Sequence, residues 1–300
     1  MENVTVLMST YNGEKYIEQQ IESILKQKDV NVFLYVRDDG SSDATKSILD
    51  RYQSEGKLKW YTGKNLKSSK SFMDLIYSVP LDSEFYALSD QDDFWLEDKL
   101  SVAIKKIKSY PKDEPCLYYG KTLLVDENLK RIEQYPTSYV AKTMRQAIIS
   151  SGCTGCTACF NRKLIDYLRV GKFNFDLMHD NWIHKVCSAL GGNLYYDEQP
   201  HMLYRQHGNN VIGGQSSAWK RLKRHVNTAV KNKCYRSNSI ISLYKAYKEY
   251  MPIENRCACE EILNYHKGLN RLKIVFDNRY RLGDKRLDCI FIGAVLLGVF

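Results

Sequence analysis

Short apolar runs alternate with helix-period segments through the first third of this 300-residue chain. Residues 4–9 read as a buried strand, and residues 14–28 follow with Ile17, Ile21, Ile24 and Leu25 at helical spacing. Residues 32–38, 58–62 and 85–89 continue as strands, while 42–52, 71–79 and 96–107 continue as helices. Strands joined by helix-length crossovers pair in parallel, so the chain is predicted to be α/β, with a mostly parallel, Rossmann-like sheet flanked by helices. Ligands of such sheets bind beyond the carboxyl ends of the strands.

Three of those ends are polar in a way that turns alone do not require. The first strand runs into Thr10-Tyr11-Asn12-Gly13, where glycine permits a turn. The second ends in Arg37-Asp38-Asp39-Gly40-Ser41-Ser42-Asp43, in which Ser42 or Asp43 is also placed to cap the next helix. The strand at 85–89 ends in Asp90-Gln91-Asp92-Asp93, a set of hard oxygen donors suited to Mg²⁺ or Mn²⁺ and a substrate's phosphates. A carboxylate such as Asp39 can accept from the N–H of a base, and Tyr11 can stack on it. Turn chemistry explains each Asn-Gly or Asp-Gly pair about as well, so the weight rests on their joint placement.

Composition narrows the class. An apolar content of 44% supports a large buried core, as one α/β domain or a domain with an appendage. No basic and apolar leader is visible after Met1, and nine cysteines, an odd number, fit a reducing compartment, so cytosolic thiols are expected. Cys153, Cys156 and Cys159 have a metal-like spacing but no fourth ligand nearby, and the same run reads as small residues leading into a strand.

Thr10-Tyr11-Asn12-Gly13, Asp38-Asp39-Gly40-Ser41-Ser42-Asp43 and Ser89-Asp90-Gln91-Asp92-Asp93 resemble the signatures of the inverting glycosyltransferases of sequence family two, which have a GT-A fold. The form Ser-Asp-Gln-Asp-Asp-Phe-Trp and the later Tyr204-Arg205-Gln206-His207-Gly208-Asn209-Asn210 resemble the bacterial rhamnosyltransferase-like branch that builds surface polysaccharides. The resemblance spans residues 3–215 and implies a GT-A catalytic domain over 1–215. It implies that Thr10, Tyr11, Asn12 and Asp39 contact the nucleoside end of the donor and that Asp90 reaches the ribose or sugar. Asp92 would ligate Mn²⁺ or Mg²⁺ with Asp93 in support, and His207 would complete the metal or phosphate site, with Arg205 beside it on the substrate. Gly152-Cys153-Thr154-Gly155 is similar to the glycine-containing loop that passes close to donor and acceptor.

An inverting transfer needs a carboxylate to take the proton of the acceptor hydroxyl while the nucleoside diphosphate leaves. Met178-His179-Asp180-Asn181-Trp182 opens an amphipathic helix, where an acidic residue is also an ordinary dipole choice. The resemblance makes Asp180 the base. His179 stands where the family commonly has Glu, leaving it either to orient Asp180 or to contact the acceptor.

The net charge of +9 is concentrated in the tail: residues 216–300 carry 17 Lys and Arg against 7 Asp and Glu. Trp219-Lys220-Arg221-Leu222-Lys223-Arg224 begins this basic helical region, which reads as an interfacial surface for an anionic membrane or as helices packed on the core or on a second copy in a homodimer. Residues 289–300 are too few to span a bilayer, which takes about 20 residues. The expectation is a metal-dependent transferase moving L-rhamnose from dTDP-rhamnose to a glycan or polyprenyl-linked acceptor, in the cytosol or peripherally on the membrane. Transfer of Gal, Glc or HexNAc from a UDP-sugar stays open, as does a non-catalytic nucleotide-sugar-binding module. No nucleic-acid docking motif is present, and the phosphate loop of a nucleotidyltransferase is poorly matched.

Overall fold

The computed structural model describes residues 1–133, 139–171, 177–206 and 235–300. At its centre lies β1 (Glu2–Thr10), which pairs in parallel with β2 (Val30–Asp38) on one side and β4 (Phe85–Ser89) on the other. β3 (Lys59–Thr62) extends the sheet beyond β2. Past β4, β8 (Cys159–Asn161) runs antiparallel between β4 and β6 (Cys116–Gly120), and β9 (Asn193–Asp197) closes that edge parallel to β6. The order is β3-β2-β1-β4-β8-β6-β9. A second sheet has β10 (Met202–Arg205) between β5 (Phe94–Trp95), antiparallel to it, and β7 (Leu123–Val125), parallel to it.

Val4, Val6, Leu7 and Met8 are all fully buried, because helices cover both faces of β1. On one face α1 (Ile17–Leu25) buries Ile17, Ile21 and Ile24 on one stripe. The helix expected over 14–28 is shorter at its start because the Gly13 carbonyl accepts from both Tyr16 N and Ile17 N at 3.0 Å, which makes residues 14–16 a turn. α2 (Thr45–Ser54) and α4 (Lys99–Ile107) pack on the same side, where Leu49, Leu100 and Ile104 join its core. Residues 94–95 belong to β5, so the helix expected from 96 begins at Lys99.

On the other face α3 (Lys67–Ser78), α6 (Arg162–Val170) and α7 (His179–Ala189) share a core that includes Leu7, Phe72, Leu164 and Trp182. Helices Tyr235–Tyr247, Ile253–Leu263 and Lys285–Leu297 contribute Leu243, Ile262 and Phe291 to this same core. The Trp182 and Tyr247 rings lie 6.2 Å apart, and Arg145 of α5 (Met144–Ile149) pairs with Glu261 at 3.0 Å. Helix Asn270–Phe276 leaves Leu272 and Phe276 exposed, with Leu269 just before it. The boundary read at residue 215 and the basic run 219–224 lie outside the described residues. Among the described residues, no helix is long and apolar enough to cross a membrane.

Candidate active site

The register of the sheet sets Thr10 beside Asp38 and Asp38 beside Thr62, while Ser89 aligns with Met8, so the polar strand ends meet at one edge. Gln91 ties two of them together. Its Oε1 accepts from Thr10 Oγ1 at 2.5 Å and from Tyr11 N at 2.8 Å, and its Nε2 donates to the Tyr11 carbonyl at 3.2 Å. A Cβ at Gly13 would run into this amide, which explains glycine there. Thr10 is therefore buried and hydrogen-bonded within the protein, whereas Tyr11 is 48% exposed and its ring is open to a ligand. Asn12 holds the loop at φ 49°, its N–H donating to Ser41 Oγ and its Oδ1 accepting from Ser42 N.

Asp38 and Asp39 divide the work of the second strand end. Asp38 is fully buried and accepts from the N–H groups of Gly40 and Ser41 and from Thr62 Oγ1, which makes it a turn residue. Asp39 is ion-paired with Arg37 and accepts from Leu66 N and Lys67 N at 2.9 Å. It anchors the start of α3 at the edge of the site. Arg37 in turn reaches Asp74 and Ser71, so this charge is buried in a bonded network.

In the acidic loop, single atoms of Asp90, Asp93 and Cys156 lie within 4.8 Å of one another. Asp93 is fully buried; its Oδ1 accepts from Arg205 N at 3.3 Å, while Oδ2 has no hydrogen bond. Asp92 is half-buried beside this set. Burial, followed by the neighbouring charges of Asp92 and Asp180, pushes Asp90 up to about 7, and burial with the charges of Asp92 and Asp90 pushes Asp93 up as well. Such crowding of like charges is what a divalent cation relieves, and the orphaned Asp93 oxygen together with this donor chemistry fits one.

Arg205, expected on the substrate, positions this loop instead. It is 1% exposed, its Nε donates to the Asp92 carbonyl at 2.8 Å, and its other nitrogens bond Gln19 Oε1 and the Glu127 carbonyl. The Tyr16 ring lies 4.6 Å from its guanidinium carbon. A guanidinium so enclosed holds the loop in place. His207 lies outside the described residues.

The loop after α5 carries Gly152 at φ 71°, where an added Cβ would sit 3.0 Å from the Tyr139 carbonyl. It leads into the 3-10 turn Gly155–Thr157, in which Gly155 N donates to Asp180 Oδ2 at 3.2 Å. Asp180 Oδ1 accepts from Asn181 N at 2.6 Å. Burial raises the Asp180 carboxyl to about 6, against the lowering pull of those backbone donors. That range suits a base working near neutral pH. His179 stacks on Phe72 with ring centroids 4.2 Å apart, and neither ring nitrogen has a hydrogen-bond partner. Burial holds it neutral, at about 3. It does not orient Asp180 through a hydrogen bond; the ring is 3% exposed and packs with Nε2 against Gly155.

Two contributors went unread in the sequence. Gln91 stands inside the acidic motif, yet nothing local shows that its amide folds back on Tyr11. Lys99 is buried with Nζ 3.6 Å from the Trp95 ring centre and no hydrogen bond. Burial lowers it to about 8, with Cys159, Cys156 and Asp93 as the nearby groups that favour its charge.

The family model "Glycosyl transferase family 2" matches residues 5–169. The chain is 29% identical to the dTDP-rhamnosyl transferase RfbG of Shigella flexneri over 97% of its own length and 99% of that protein. It is 30% identical to the Escherichia coli UDP-Glc:alpha-D-GlcNAc-diphosphoundecaprenol beta-1,3-glucosyltransferase WfgD, over 63% of this chain and 70% of the relative. Among solved structures, S. aureus TarS 1-349 in complex with UDP-GlcNAc superposes with a TM-score of 0.59 at 16% identity, covering 100% of this chain and 82% of that one.

Proposed function

The chain belongs to glycosyl transferase family 2 and has the GT-A fold, and on that premise we propose that it is a metal-dependent inverting transferase that moves L-rhamnose from dTDP-rhamnose to a glycan or polyprenyl-linked acceptor. The observation that carries this reading is the turn Gly155–Thr157. Gly155 binds the carboxylate of Asp180, and the next residue, Cys156, meets Asp90 and Asp93, so base and acidic loop belong to one site.

The chemistry follows from these positions. Tyr11, exposed beside Gln91, stacks on the donor's base, and the polar turn at Asn12 borders it. Asp180 takes the proton of the acceptor hydroxyl as that oxygen bonds to the anomeric carbon and the bond to the departing diphosphate breaks on the opposite face. His179, neutral and buried, packs against Gly155, the residue that binds Asp180. Asp90 and Asp93, with Asp92 alongside, would hold a divalent cation, which supplies charge neutralisation for the leaving diphosphate.

The end-to-end similarity to RfbG supports thymidine and rhamnose as the donor; WfgD supports the alternative of a UDP-sugar. Thermal stabilisation by thymidine, uridine, guanosine and cytidine diphosphates, each with and without Mn²⁺, separates them. The reading expects a metal-dependent rise in Tm that is largest with the thymidine compound. A preference for the uridine compound would transfer the proposal to a UDP-sugar, and no shift with any nucleotide would overturn the donor site.

A further inference from the structure

Cys156 has no part in the transfer chemistry above, yet it is the third member of the only group of His, Cys, Asp and Glu among the described residues whose donor atoms converge within 4.8 Å. The thiol is 1% exposed and lies under the acidic loop, held there because the turn Gly155–Thr157 enters β8, which pairs with β4. It faces a fully buried carboxylate whose Oδ2 has no hydrogen bond. Half-buried Asp90 gives the group an opening towards solvent. Buried Lys99 lies near Cys156 and Cys159, its ammonium without a hydrogen bond and set over the Trp95 ring. Burial, with the carboxylates of Asp93 and Asp90, holds the metal-free group as the thiol, and Lys99 offsets this only in part.

We propose that Cys156 is a protein ligand of the divalent cation, completing with Asp90 and Asp93 a mixed sulfur and oxygen site that takes a thiophilic or borderline cation in preference to Mg²⁺. Carboxylates alone suit Mg²⁺ and Mn²⁺ alike, whereas a thiolate selects for softer ions such as Cd²⁺ and Zn²⁺. On binding, the sulfur–metal bond replaces the S–H bond and one proton passes to the buffer. The inference rests on the reading of the acidic loop as a cation site, and its test keeps the two apart.

The experiment is titration of the purified full-length chain with Cd²⁺, followed by its ultraviolet thiolate-to-metal band, and with Mn²⁺, followed by electron paramagnetic resonance. Cys156→Ser should remove the Cd²⁺ band and weaken binding by about tenfold or more, the scale seen even for residues supporting a metal ligand. Cys156→Ala serves the same purpose if the serine variant does not fold. Asp90→Asn should weaken Mn²⁺. A Cd²⁺ band unchanged in the Cys156 variants, with Mn²⁺ binding still lost in Asp90→Asn, overturns the thiol ligand and leaves the cation site standing. Absence of Mn²⁺ binding by the unmodified chain, with or without thymidine diphosphate, overturns both.

Discussion

Asp180→Asn is expected to lower kcat by about 10²–10⁴-fold, the usual range for removing a general base, while nucleotide affinity changes little. The amide still accepts one of the two backbone hydrogen bonds, from Gly155 or Asn181, so the start of α7 should keep its place. The unmodified enzyme should show the matching pH dependence. A base must be ionised to accept a proton, and burial raises Asp180 to about 6, so kcat should fall as pH drops through that value. The Asn variant should lose that limb of the profile along with most of its rate. Normal turnover by this variant would remove Asp180 from the chemistry.

Asp93→Asn should act on stability and function in opposite directions. Metal-free, the fold holds Asp93 fully buried beside Asp90 and Asp92, and that crowding disfavours its ionised form. The amide keeps an oxygen for Arg205 N and is neutral without having to take up a proton. The metal-free Tm should therefore rise, by about 2–4 °C if the relief is about 1 kcal/mol. The further rise on adding Mn²⁺ and nucleotide should disappear, because the variant has lost a cation ligand. Scanning calorimetry with and without Mn²⁺ checks both halves. A lowered Tm with the metal response intact would place Asp93 in the scaffold alone.

What could be read from the sequence was local. The parallel strands declared themselves as short apolar runs, and the ends at Thr10, Asp38 and Asp90 stood out because turn and ligand chemistry share residue types. The starts of α1, α2 and α4 were placed three residues early and that of α3 four residues late; for α1 and α4 the turn after Gly13 and the pairing of β5 depend on partners elsewhere. Arg205 looked like a substrate contact because a cation near the end of a motif carries no sign of its burial. Only the pairing of β10 with β5 brings its backbone to Asp93 and its side chain to Gln19. Cys156 was visible as one of three spaced thiols. Its approach to Asp90 and Asp93 depends on β8 lying antiparallel beside β4, across more than sixty positions of sequence, and no spacing rule contains that.

The most direct test of the account is calorimetric titration of the chain with dTDP-rhamnose and with UDP-glucose, each in the presence of Mn²⁺ and again in excess chelator. Binding of dTDP-rhamnose should require the metal and be tighter than that of UDP-glucose. Binding that is indifferent to the chelator, or no binding of either donor, would contradict it.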